Sequence, residues 1–224
     1  MPDGRNGGAR WSFGEAPLAQ TASLAVVLRS ITELALSLER EDEAVGEVLA
    51  SLRRAEGVLA ALAPSDPAPR VGDGAPDDGR VYLDHSRDIG AYNPCFPTYG
   101  ISVEGDRAWG TVEFPIAYEG PPGIVHGGFL AVFFDCVMQH HNSDAGVTGK
   151  TANLALRYRR PTPLLRTLDY SVQRRVEGDR VESTARISLE GKVLCEAEMS
   201  AVAGDRSRLP RVFPRGDRRG DPIR

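Results

Sequence analysis

Between residues 127 and 142 the apolar residues of this chain recur at helical spacing, and on either side of that stretch they alternate every second residue. Two strand-like segments precede it, Tyr99–Val103 and Ala108–Ile116, flanking the turn Glu104-Gly105-Asp106-Arg107. Four follow, at Lys150–Arg159, Thr167–Val176, Arg180–Leu189 and Val193–Val202, with turns at Glu177-Gly178-Asp179 and Glu190-Gly191. Strand, strand, helix and four strands predict an α+β domain, an antiparallel sheet with one helix on its apolar face. Leu168, Tyr170 and Val172 alternate with polar residues, as do Val181, Ile187 and Leu189, so one sheet face is wet or borders an interface.

The start of that helix carries the chemistry. Pro121-Pro122-Gly123-Ile124-Val125-His126-Gly127-Gly128 reads as a glycine-paved turn running into the helix, and a lone acid, Asp135, follows Gly128 by seven residues. Backbone N–H groups at a helix start have no intrahelical partner and favour developing negative charge, whereas a carboxylate in an apolar segment is costly to bury. Donors and one acid are the minimum equipment for hydrolysing an activated acyl group. Leu130, Phe133, Phe134, Val137 and Met138 form the stripe expected to pack on the sheet, while Gly128, Ala131, Asp135, Gln139 and Asn142 share a second face. That face begins with small residues where an exposed helix usually carries Lys and Glu, which predicts a protein–protein contact. Each feature also has a plain structural reading: Asp135 as a solvated acid, His126 as a donor to a neighbouring carbonyl, the glycines as a tight turn.

Gly128 and Asp135 stand about 10 Å apart along one helix. Donor and base must both lie within about 3 Å of one reacting centre. Two copies of the helix, packed antiparallel about a two-fold axis, meet that condition where one copy does not. The reading therefore predicts a homodimer, or a homotetramer built as a dimer of dimers, with its sites at the interface.

Val125-His126-Gly127-Gly128 with Asp135 nine positions after the histidine resembles the hotdog-fold acyl-CoA thioesterases of the PaaI-like group. The segment Thr151-Ala152-Asn153-Leu154-Ala155-Leu156-Arg157-Tyr158-Arg159-Arg160-Pro161-Thr162-Pro163-Leu164 is similar to the strand after the central helix in THEM-type members, and Tyr118-Glu119-Gly120-Pro121-Pro122-Gly123 to actinobacterial ones. The resemblance covers residues 90 to 203 and implies a sheet wrapped around a central helix. It implies that Asp135 acts as general base or nucleophile, that the Gly127 and Gly128 N–H groups polarise the thioester carbonyl, that His126 positions, and that Thr151 holds the water or carboxylate. Val125, Ala131, Asn153 and Arg159 are the expected substrate contacts, and Lys150, Arg157, Arg159 and Arg160 read equally as cations for CoA phosphates or as ordinary solvated strand ends. Some members carry Asn six residues before the histidine, where this chain has Gly120. A thiolate leaves readily, so one carboxylate and an oxyanion site suffice and no metal or organic cofactor is expected. Two alternatives remain beside thioester hydrolysis: a non-catalytic acyl-CoA or acyl-carrier binding module, and an enoyl-CoA hydratase using Asp135 with His140. A metal site on Asp135, His140 and His141 is disfavoured, because adjacent helical histidines point apart.

The rest of the chain bounds these readings. With 27 basic against 31 acidic residues, nothing global argues for nucleic acid or an anionic membrane. The apolar run Leu24–Leu38 is broken by Arg29 and Glu33 and does not read as a membrane span, nor do the first residues as a signal peptide. A cytoplasmic protein is expected. Cys136 and Cys195 sit in apolar contexts and read as small core residues, with Cys95 the remaining thiol. The expected organisation is a disordered terminus at 1–14, a helical extension at 15–63 forming an αα-hairpin, a Pro/Asp-rich linker at 64–80, the hotdog domain at 81–204, and an Arg/Pro-rich disordered tail at 205–224.

Overall fold

The computed structural model describes residues 19–63, 88–144 and 149–203. The expected 1–14 terminus, 64–80 linker and 205–224 tail lie outside them. Helices α1, α2 and α3 span Ala19–Leu36, Glu43–Leu62 and Gly127–Asp144; strands β1 to β6 span Ser102–Glu104, Arg107–Val112, Gly149–Tyr158, Leu168–Glu177, Arg180–Leu189 and Lys192–Ala203. Short 3-10 turns lie at Ile89–Ala91 and Ile116–Tyr118.

The six strands form one antiparallel sheet in the order β1-β2-β4-β5-β6-β3, so β1 and β3 are its edges. The four later strands fall within a residue of their expected limits, and the first hairpin departs. Glu104 pairs with Arg107 around a two-residue turn in which Gly105 takes φ +56, as such turns require. Tyr99 makes only an isolated bridge, to Val112, because its ring turns inward against Phe96 and Phe133. Strand β2 stops at Val112, not Ile116: Pro115 has no N–H for a ladder, and its φ of −64 opens the 3-10 turn instead.

Helix α3 lies on one face of the sheet. Leu130, Phe133, Phe134, Val137 and Met138 are all buried against Leu168, Tyr170, Ile187, Cys195 and Met199. Phe133 is central, its ring meeting Phe114 at 5.4 Å and Tyr170 at 5.3 Å, both edge-on. Each such side chain contributes roughly 1.5–3 kcal/mol by leaving water, which holds α3 in one rotational setting. The far end of α3 is held by a buried cation. Arg174 on β4 donates to the His141 carbonyl at 3.0 Å and the Gly105 carbonyl at 3.2 Å, and pairs with Asp106 at 3.2 Å. It closes the carbonyl end of the helix and pins the β1–β2 turn in one contact.

Helix α1 belongs to the same compact unit as the sheet, and α2 to a second unit. Arg29, read from the sequence only as a break in an apolar run, is 8 % exposed. It donates to the carbonyls of Gly90 at 2.8 Å, Asn93 at 3.1 Å and Phe96 at 3.2 Å. Helix α2 starts with Asp42, whose carboxylate caps the Ala44 N–H at 2.9 Å. No helix among the described residues is long and apolar enough to cross a membrane.

Candidate active site

The loop entering α3 is built by its prolines and glycines. Pro121-Pro122-Gly123-Ile124 is a turn closed by the Ile124 N–H on the Pro121 carbonyl at 2.9 Å, with Gly123 at φ +76, the third turn position where glycine is needed. The Val125 N–H then donates to the Thr162 carbonyl and the His126 N–H to the Tyr118 carbonyl, both at 2.8 Å. Gly120 accounts for the missing asparagine: a Cβ there would lie 2.9 Å from the His126 Cα. The backbone approach leaves no room for any side chain at that position.

At the helix start the two glycine N–H groups have different fates. The Gly128 N–H donates to the His126 Nδ1 at 3.0 Å. The ring thereby caps the helix and is set with its proton on Nε2. The Gly127 N–H is left without an internal partner among the described residues, while its carbonyl accepts from the Tyr158 hydroxyl at 3.0 Å. A Cβ on Gly127 would come 3.0 Å from that hydroxyl. Phe129 bridges the ring of His126 at 6.0 Å and that of Tyr118 at 5.0 Å.

Asp135 sits about two turns further along, half-buried, on the open face of α3. The Thr151 hydroxyl donates to its Oδ1 at 2.7 Å, and the Gln139 amide donates to the Thr151 oxygen at 2.8 Å. Because Gln139 takes the hydroxyl's lone pair, the Thr151 proton has the carboxylate as its acceptor. A register shift between Thr151 and Asn153 aims Thr151 this way. Thr151 pairs with inward Ala201, Asn153 with outward Ser200, and the bulged Ala152 lies between. Gln139 was visible on the Asp135 face but not as a partner; its signal was the spacing of four residues after the acid.

The other expected positions separate into two groups. Val125 is buried under the entry loop and Ala131 is half-buried on α3. Asn153 and Arg159 instead lie on the outer sheet face, Arg159 in an ion pair with Glu196 at 2.7 Å. A concavity of ≈ 800 Å³ opens on that face between Trp109, Arg157, Arg186 and Glu198, across the sheet from Asp135. Asn142, assigned to the open face, is 1 % exposed, so that face is open only over its earlier turns.

The histidines after Asp135 diverge from it. His140 Nδ1 meets the Tyr99 hydroxyl at 2.7 Å and the Asp88 N–H at 3.2 Å, and His141 Nε2 meets the Gly105 carbonyl at 3.1 Å. Among the described residues no three His, Cys, Asp or Glu side chains gather as a metal site. Burial, with a smaller push from the Asp135 carboxylate, raises the Cys136 thiol to about 12, and burial raises Cys195 to about 11. Both are protonated core thiols at neutral pH.

No family model matches the chain. Among solved structures, a thioesterase superfamily protein aligns with 87% of this chain and 96% of its own, at 26% identity and a TM-score of 0.67. A hypothetical thioesterase protein from Streptococcus pneumoniae TIGR4, solved with coenzyme A, aligns with 47% of this chain and 87% of its own, at 19% identity and a TM-score of 0.45. The E. coli PaaI protein from the phenylacetic acid degradation operon aligns with 46% and 82%, at 18% identity and a TM-score of 0.44. Over most of its length the chain is similar in fold to a protein of the thioesterase superfamily, with the antiparallel sheet and central helix of a hotdog fold.

Proposed function

We propose that the chain is an acyl-CoA thioesterase working as a homodimer, with Asp135 of one copy and the α3 start of the other at each site. The observation that carries this is the chain of donors Gln139–Thr151–Asp135 on the open face of α3, in the same helix as an unspent N–H at Gly127. Thr151 holds one carboxylate oxygen and leaves Oδ2 to take a proton from water. As the water oxygen bonds to the thioester carbon, the carbonyl electron pair moves onto oxygen, facing the Gly127 N–H and the His126 Nε2–H. Collapse breaks the C–S bond, and the departing CoA thiolate takes up the proton held by Asp135.

Two surfaces support the two-fold partner. Strand β3 is a ten-residue edge with one side unpaired among the described residues, and such an edge is a template for another strand. Phe129 and Val132 are 38 % and 50 % exposed beside Asp135, an apolar border for an acyl chain or a facing helix. Release of free thiol from a panel of aryl-, short-, medium- and long-chain acyl-CoAs tests the reading, with Asp135→Asn as the control that loses turnover but keeps its oligomeric state. Tight acyl-CoA binding with no thiol release in the wild type would instead establish a binding module.

A further inference from the structure

The peptide unit joining Gly127 to Gly128 is gripped at both ends. Its carbonyl accepts from the Tyr158 hydroxyl at 3.0 Å, and its N–H donates to the His126 Nδ1 at 3.0 Å. In a trans peptide these two groups point in opposite directions, so the phenol and the imidazole stand on opposite sides of one plane. Tyr158 reaches the helix because it pairs with buried Cys195, which puts its ring on the α3 side of the edge strand β3. With Nδ1 accepting, the imidazole proton sits on Nε2. The ring is steadied by Phe129, edge-on at 6.0 Å, and the His126 N–H is tied to the Tyr118 carbonyl at 2.8 Å.

Each link has a glycine where a side chain would crowd it. A Cβ on Gly127 would come 3.0 Å from the Tyr158 hydroxyl, and one on Gly128 would come 3.1 Å from the His126 Nδ1. A Cβ on Gly120 would lie 3.3 Å from the Cδ2 at the back of the same ring. None of these three glycines takes a positive φ. Conformational freedom therefore does not account for them, and close approach does.

We infer that Tyr158 is a positioning residue for the thioester carbonyl, acting on His126 through the Gly127–Gly128 peptide. It touches no reacting atom. A hydroxyl donating to the peptide carbonyl draws electron density toward that oxygen and makes the N–H of the same amide a stronger donor. That N–H draws density from Nδ1 and makes the Nε2–H a stronger donor to the oxyanion. Hydrogen bonds in such a chain reinforce one another by about 10–30 % each. No proton changes place along it. The inference rests on the thioesterase reading for the oxyanion that the Nε2–H meets, whereas the chain from phenol to imidazole stands on its own hydrogen bonds.

Tyr158→Phe in the full chain removes the hydroxyl and keeps the ring, which is 56 % exposed, so the fold should stand. NMR of the isotope-labelled protein reads the chain without substrate. The Gly128 amide proton is expected to move upfield and the His126 Nδ1 and Nε2 resonances to shift, with Nε2 still carrying the proton. In thiol release from acyl-CoA, kcat is expected to fall about 3–10-fold at unchanged KM, less than the ~100-fold or more for loss of a direct oxyanion donor. In a His126→Ala background the same substitution is expected to change kcat no further, because the route through the ring is gone. Unmoved Gly128 and His126 resonances overturn the inference. So does an unchanged kcat, with or without a raised KM, and so does a loss that persists in full beside His126→Ala. A wild type that releases no thiol sinks the enzyme reading instead, and the resonances then still decide whether the hydroxyl reaches the ring.

Discussion

Thr151 Oγ1 and Asp135 Oδ1 lie 2.7 Å apart across sixteen residues of sequence, joined because the irregularity at Ala152 turns one hydroxyl off the outer sheet face and onto the helix. The bond holds a half-buried carboxylate in one rotamer and leaves its second oxygen open. In the proposed mechanism, a base held in this way needs no reorganisation when water arrives.

Removing that donor separates rate from fold. Thr151→Val is expected to lower kcat for thiol release by about 10–100-fold with little change in thermal stability, and Thr151→Ser to restore most of it. Gln139→Leu, one step further from the carboxylate, should cost only a few-fold. Equal losses for Thr151→Ser and Thr151→Val would remove the hydroxyl from the mechanism.

Glycine is required at two positions for different reasons. In Gly120→Ala the new methyl meets the His126 backbone at 2.9 Å, and overpacking against backbone costs about 1–3 kcal/mol. In Gly127→Ala the obstacle is the far end of the exposed Tyr158 ring, at 3.0 Å, which can swing away. Thermal melts should therefore show a clear drop for Gly120→Ala and a small one for Gly127→Ala, while thiol release falls in both.

Arg174→Met removes one contact at the carbonyl end of α3 and two at the β1–β2 turn. Leaving the His141 carbonyl short of a donor costs about 1–3 kcal/mol, or a melting temperature lower by roughly 3–10 °C for a domain of this size. An unchanged melt would show that water replaces the guanidinium at no cost.

Half-buried Cys136 and buried Cys195 make a pH prediction. Cys136 and Cys195 rise from 9.0 to about 12 and about 11 on folding. The stability they lend is fully present below pH 9 and is lost as pH climbs through 11 to 12, because the unfolded chain ionises first. Iodoacetamide at pH 8 should therefore add a single adduct, at exposed Cys95, in the mass of the native protein. Prompt labelling of Cys136 would contradict its raised pKa.

The sequence by itself determined the elements and their faces. Period and turn residues placed α3 and the four later strands, because burial of one face needs nothing beyond local spacing. The sequence also singled out His126, Gly127, Gly128 and Asp135 by motif, and Thr151 by resemblance. What the tertiary structure decided was direction. A bulge sent Thr151 inward and Asn153 outward, although a regular strand would put both on one face. His126 took up the Gly128 N–H, a choice of ring orientation that no spacing encodes. Arg29 was legible only as a charge interrupting leucines; that its guanidinium would be buried and the leucines left outside depended on three carbonyls more than sixty residues away. Local pattern reports which side of an element is apolar, and only the surrounding chain supplies the partners that decide which side goes in.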